Sequence, residues 1–173
     1  MLSPVDLPSV FAPDRIHGVL TDPFPGPRPG LIHSALGWWV GSCLVLTCRA
    51  GAVAVVHDGT EPAMRLADHF ARGAANCLHY AATVSIIGEG DADLLAYGVR
   101  TVQGPGALIT TDAGEVTMRL LAAGGTPMTC GTGLELICDL IARDRVPIPV
   151  NAGARGRILQ RRDFAHHYAT AEG

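Results

Sequence analysis

The chain has 173 residues, enough for one domain that buries a proper core without disulfide or metal staples. Hydrophobic residues make up 48% and charged residues 17%, which excludes a disordered chain, and a net charge of −3 gives no electrostatic reason to expect nucleic acid. All thirteen basic residues are arginine, which excludes a Schiff-base lysine and a P-loop lysine. Five cysteines without a CxxC pair argue against a disulfide framework or a zinc ribbon and read as buried thiols of a cytoplasmic protein. No basic region followed by an apolar one opens the sequence, so no signal peptide is expected.

Residues 1–10 are spaced by prolines and read as a loose arm. Phe11–Leu20 reads as a loop feeding a short extended segment, and Thr21–Gly30, with four prolines and two glycines, as a connector. Leu31–Cys48 carries no Asp, Glu, Lys or Arg. Its glycines, its polar groups and the lack of a basic flank favour a buried helix over a membrane span. Ala52–Val56 reads as a central strand turned over by His57-Asp58-Gly59. A helix follows over Ala63–Leu78, with Pro62 in an early helical position.

Thr83–Ile87 is the second strand, Gly88–Asp91 a turn, and Leu94–Val102 a helix capped by Asp91 or Asp93. Gly106–Thr111 is the third strand. It enters through a Gly-Pro-Gly turn and runs into a small polar loop, Thr110–Gly114. Val116–Ala122 reads as an antiparallel return, Thr132–Arg143 as a helix capped by Thr132, Val146–Ala154 as a linker, and Arg157–Ala169 as a terminal helix. The β-α-β-α-β order predicts right-handed crossovers and a three-layer α/β/α sandwich with a mixed, mainly parallel sheet of four or five strands. Residues 1–150 form the α/β domain, and 151–173 a linker and C-terminal helix. In such sheets ligands bind at the carboxyl ends of the strands.

Four segments, in order, resemble the first domain of the α-D-phosphohexomutases, the phosphomannomutase/phosphoglucomutase family. They are Phe11…Arg15-Ile16-His17-Gly18-Val19, the strand and turn Val53–Thr60, the run Ile109–Glu115, and Thr117-Met118-Arg119 leading to Gly124–Pro127. The resemblance implies that family's fold. It places Asp112 where the family carries its phosphoryl-bearing serine, with Ala113 and Gly114 replacing the neighbouring His and Asn. It also places His17 and Arg15 where the first motif has arginine and aspartate, and Arg119 where the family has lysine. The chain ends where the family would begin its second domain, so mutase activity is not expected of it.

Asp112 reads as a general base or acid, as a fixed negative charge imitating the phosphorylated state, or as an Asx-type cap of its loop. His17 and His57, expected at strand ends on one rim, read either as an acid/base pair with Asp112 or as structural imidazoles. Arg15 and Arg119 could clamp a carboxylate or phosphate, or ion-pair with Asp14, Asp58 or Asp112. Thr110 and Thr111 could donate to a ligand oxygen or to the loop backbone. Gly104-x-Gly106 precedes its strand and is not a dinucleotide fingerprint. His166 and His167 point apart on a helix. No metal site or cofactor motif is visible.

The expectation is a repurposed domain that binds a small organic substrate and transforms it by acid/base chemistry of isomerase, cyclase or lyase type. The alternative is a non-catalytic module that binds a ligand or partner. A homo-oligomer is expected in both cases, with neither nucleic acid nor membrane as partner.

Overall fold

The N-terminal segment is anchored in the core and not a loose arm. The structure, a computed structural model, describes residues 5–172, so residues 1–4 of the expected arm lie outside the described residues. A short helix, α1 (Leu7–Val10), buries Leu7 and Val10, and Val5 is buried beside them. These apolar side chains gain more from the core than proline spacing costs in helix length. β1 (Phe11–Ala12) and β2 (Arg15–Leu20) form an antiparallel hairpin, and after the connector β3 (Leu31–Ile32) runs parallel to the end of β2.

α2 (Ala35–Cys48) is apolar around its whole circumference because it packs between two other helices and not on a solvent face. β4 (Ala52–His57), α3 (Glu61–Ala75), β5 (Thr83–Glu89), α4 (Ala92–Val102) and β6 (Gly106–Asp112) then build the expected crossovers. Pro62 lies in the first turn of α3. Asp91 caps α4, its carboxylate accepting from the amides of Asp93 and Leu94, each at 3.1 Å. β7 (Glu115–Leu121) returns antiparallel to β6, as predicted.

Two later expectations are corrected. α5 (Leu134–Ala142) starts after Gly133. Thr132 does not cap it; its hydroxyl accepts from the Thr129 amide at 2.7 Å in the preceding turn. The terminal helix does not begin at Arg157. Residues Arg157–Gln160 form β8, an edge strand parallel to β5, and only Asp163–Ala171 is helical (α6). β8 is exposed on most positions and so lacks the alternation that marks a half-buried strand.

The sheet has eight strands where four or five were expected, in the order β1-β2-β7-β6-β4-β5-β8 with β3 on β2. The β4–β5, β4–β6, β5–β8 and β2–β3 pairs are parallel, and β1–β2, β2–β7 and β7–β6 antiparallel. This is the predicted α/β/α sandwich with a mixed, largely parallel sheet. On one face Ile16, Val53, Val55, Ile109, Val116 and Met118 share a core with α1, α2, α3 and α5. On the other, Ala54, Val56 and Leu108 pack under α4 and α6, with Phe164 closing the layer. Among the described residues no helix is long and apolar enough to cross a membrane.

Candidate functional site

The polar loop expected after the third strand is a tight β-hairpin. β6 continues through Asp112, which pairs directly with Glu115 of β7. Only Ala113 (φ 50°) and Gly114 (φ 79°) lie between, both left-handed, the geometry of a two-residue hairpin turn. Asp112 is exposed at the tip and makes no side-chain hydrogen bond among the described residues. It is therefore not a loop cap.

Strand register decides which candidates can meet. His17, Thr117 and Thr110 lie level across β2, β7 and β6, so their side chains share a face. Arg15, Arg119, Glu115 and Asp112 fall on the same face by alternation, where it is open beyond α4 and α6. His17 Nδ1 contacts Glu115 Oε1, and Arg15 donates to Asp14 at 2.9 Å. Arg119 is exposed and has no ion pair among the described residues. His57 and Thr111 lie on the opposite face, in register with the core side of Val55 and Val116. The expectation of one rim for His17 and His57 is thus corrected: the sheet lies between them.

On that second face the carboxyl ends of β4 and β6 are tied together by Asp58. Its carboxylate accepts from the Thr60 hydroxyl at 2.6 Å, the Thr60 amide at 3.0 Å and the Thr111 amide, while the hydroxyls of Thr60 and Thr111 are 2.8 Å apart. Burial pushes the Asp58 carboxyl up, but the hydrogen bonds from Thr60 and Thr111, with His57 adding to them, outweigh it and hold the group below its ordinary value. Thr111 therefore serves the scaffold through both its amide and its hydroxyl. Asp58→Ala should lower stability by about 1–2 kcal/mol, because the Thr60 and Thr111 donors lose a charged acceptor. Because the folded pKa is depressed, the carboxyl's contribution is complete above the unfolded carboxylate value near ~4 and drains as pH falls from there. Urea midpoints should therefore fall less steeply in Asp58→Asn than in the wild type below about pH 4; parallel slopes would show that Asp58 is not held in this way.

A cavity of about 480 Å³ opens at the carboxyl edge of β4 and β5, lined by His57, Gly59, Asp68, Glu89, Gln160 and Arg162 among others. β5 has a bulge opposite Val55 and Val56, with Gly88 at φ 112°, so that Val56 pairs with Gly88 and His57 with Glu89. Without the bulge Gly88 would lie beside His57. With it the Glu89 carboxylate does, close enough to Gly59 that a Cβ there would meet Glu89 Oε2 at 2.8 Å. His57 Nδ1 accepts the Gly59 amide at 3.1 Å, which leaves the ring proton on Nε2. Burial lowers the His57 pKa, against the opposing pull of Asp58 and Glu89, and the imidazole is neutral at neutral pH. Asp68 pairs with Arg72 at 3.0 Å, whereas Arg162 has no ion pair among the described residues.

His57 is thus the one candidate of catalytic type that lines this cavity. Glu89, Arg162 and Asp58 were missed as site residues. Glu89 reads as part of a turn because the bulge has no period-2 signature, and Arg162 sits beyond a strand read as helix. Asp58 was expected as part of the strand-and-turn segment or as an ion-pair partner of Arg15 or Arg119, and its partners are instead Thr60 and Thr111. Among the described residues no group of three or more His, Cys, Asp or Glu side chains is placed to hold a metal ion.

No family model and no curated protein matches the sequence. Solved structures do match the fold. The chain superposes on a phosphoglucomutase/phosphomannomutase family protein from Burkholderia thailandensis with a TM-score of 0.71 and 16% identity, over 92% of this chain and 34% of that one. It matches a putative phosphomannomutase from Thermus thermophilus with a TM-score of 0.58 and 22% identity, over 94% of this chain and 35% of that one. The chain therefore spans about a third of the length of these proteins, and what it shares with them is the α/β/α architecture of a phosphohexomutase first domain.

Proposed function

We propose that this phosphomannomutase-like domain binds a small anionic hydroxy-carbonyl compound at the carboxyl edge of β4 and β5 and isomerises it by proton transfer. The observation that carries this reading is the bulge at Gly88, which sets the Glu89 carboxylate beside a neutral His57 in one cavity. With Nδ1 occupied by the Gly59 amide, His57 offers only Nε2–H, so it is a hydrogen-bond donor and not a base. Glu89 is then the base. Its carboxylate takes the proton from the carbon next to the carbonyl, and the C–H electron pair becomes the carbon–carbon double bond of an enediol. The charge that develops on the former carbonyl oxygen is met by His57 Nε2–H. The proton of the neighbouring hydroxyl then passes to the former carbonyl oxygen, and Glu89 returns the abstracted proton to the former carbonyl carbon as the carbon–carbon double bond gives way to the new carbonyl, so the isomerisation leaves no net change in atoms or charge. Arg162 supplies the cation for a phosphate or carboxylate on the substrate.

The same reading carries no phosphohexomutase turnover. The residue that resembles the family's phosphoryl carrier is Asp112, which stands on an exposed hairpin on the other face of the sheet from His57.

The test is solvent exchange in D2O, followed by proton NMR, on phosphorylated aldoses and ketoses and on 2-hydroxy and 2-oxo acids. Chain-dependent loss of the proton next to the carbonyl in at least one compound is expected. Binding without exchange would move the reading to a ligand-binding module, and neither binding nor exchange across the panel would overturn it.

A further inference from the structure

A second cavity, of about 370 Å³, opens at the opposite edge of the sheet, where β5 and β8 begin. Its lining includes Trp38 of α2, Arg72, Ala75 and Asn76 from the end of α3, and Arg155 and Ile158 around the start of β8. The volume lies at the low end of the range of small-molecule sites, about 300–1,000 Å³. Trp38, which is half-buried, Ala75 and Ile158 supply apolar wall. Among the described residues that line it the charged groups are arginines, with no Asp or Glu, whereas the cavity of His57 and Glu89 mixes both signs. Bare carbonyls at the end of α3 would oppose an anion here. Those carbonyls are occupied: Asn76 donates to the Arg72 oxygen from its amide at 3.1 Å and from Nδ2 at 2.8 Å, and the Gly156 amide donates to the Ala75 oxygen at 2.8 Å.

We infer that this cavity binds a small aromatic carboxylate. Arg72 donates to Asp68 at 3.0 Å, whereas Arg155 is exposed and has no ion pair among the described residues. The spare charge is therefore close to one positive unit, which suits a monoanion better than a phosphate dianion. The guanidinium of Arg155 can hold a carboxylate through two parallel N–H···O bonds. Trp38 offers the ring an aromatic neighbour, and Ala75 and Ile158 extend the apolar wall. An exposed ion pair contributes little, so Arg72 can turn part of its donor set from Asp68 to the ligand at small cost. The site lies at the other edge of the sheet from His57 and Glu89, and the inference does not depend on the proposed isomerase reaction.

The test is an NMR titration of the full chain, labelled with nitrogen-15, using benzoate as the probe and benzyl alcohol and acetate as controls. Benzoate should shift the Trp38 indole and Gly156 amide signals saturably, with a dissociation constant of about 1 mM or below. Each control lacks one half of the recognition and should bind roughly tenfold more weakly or not at all. Arg155→Ala, with melting temperature as a folding control, should raise the benzoate constant about tenfold, while Arg162→Ala in the other cavity should leave it unchanged. Asp68→Asn removes the competitor for Arg72, so benzoate should bind about 2–5-fold more tightly and phenyl phosphate should gain more than benzoate does. No saturable shift with benzoate, equal binding of benzyl alcohol, or a benzoate constant that follows Arg162 and not Arg155 overturns the inference.

Discussion

Replacing Gly73 with valine should lower the stability of the fold by about 3 kcal/mol or more, with a drop in melting temperature of roughly 6–12 °C. The cause is the contact between α2 and α3. A Cβ built on Gly73 would lie 1.9 Å from the carbonyl oxygen of Trp38, and one on Gly41 would lie 2.1 Å from that of Phe70. Gly37 adds a third close approach, 2.8 Å from the oxygen of Leu66. These neighbours are backbone atoms, so no rotamer change relieves the clash and the two helices must separate. Separation opens the core around Leu36, Val40, Leu66 and Phe70, all buried to within 2% exposure.

The sign of the alanine variant is the sharper result. At an ordinary helix position Gly→Ala stabilises by roughly 0.5–1 kcal/mol. Gly73→Ala and Gly41→Ala should both destabilise. Gly124→Ala, where nothing lies within 4 Å of the new methyl, should be close to neutral. Thermal and urea unfolding of the three alanine variants decide it. A Gly73→Ala protein as stable as the wild type would mean that α2 and α3 are not packed backbone to backbone.

The second large effect is on proton transfer. Glu89→Gln removes the proposed base and should reduce the exchange rate about 10²–10⁴-fold with little loss of ligand binding. His57→Gln keeps a donor near the same place and should lose less than His57→Ala. The pH profile separates this from a structural role. Protonating Nδ1 turns it from acceptor to donor and breaks the bond from the Gly59 amide, so exchange should be level through neutral pH and fall on the acid side, below the ordinary histidine value near ~6.5. Stability should move the same way. The folded pKa of His57 is lowered, so the unfolded chain takes up the proton first, and the contribution present above about pH 6.5 is lost as pH falls toward the folded value. His33, lowered by burial and then by His69, adds to that slope. An exchange rate unchanged in Glu89→Gln would remove Glu89 from the chemistry.

The elements that build the sheet's centre were legible because they carry their own signals. Ala52–His57 and Gly106–Asp112 are short apolar runs bounded by turn residues. α3 keeps Leu66, Phe70 and Ala74 on one stripe, and Asp91 announces α4. Local pattern is enough for these, since a buried strand or an amphipathic helix is specified by residues a few positions apart. β8 had no such pattern, because an edge strand is half solvated and gains its order from pairing with β5. α1 was hidden for a related reason: four residues do not make a stable helix, and only the core that receives Leu7 and Val10 holds it.

The site was less legible because it depends on register. Sequence alone placed ionisable residues at strand ends, including His57, and resemblance singled out Asp112, His17 and Arg119. It could not say that a two-residue turn would leave Asp112 at an exposed tip, nor that the sheet would separate His17 from His57. One inserted residue at the Gly88 bulge then brought Glu89 level with His57. The glycines of α2 and α3 read as interruptions in their helices and prove to be contact points. What the sequence determined by itself is the set of local elements and their order, since hydrophobic period and turn residues act over short range. Strand register, the bulge and the helix–helix approach were decided by tertiary structure, because each depends on atoms that are distant in the chain and become neighbours only when the sheet and its two layers close.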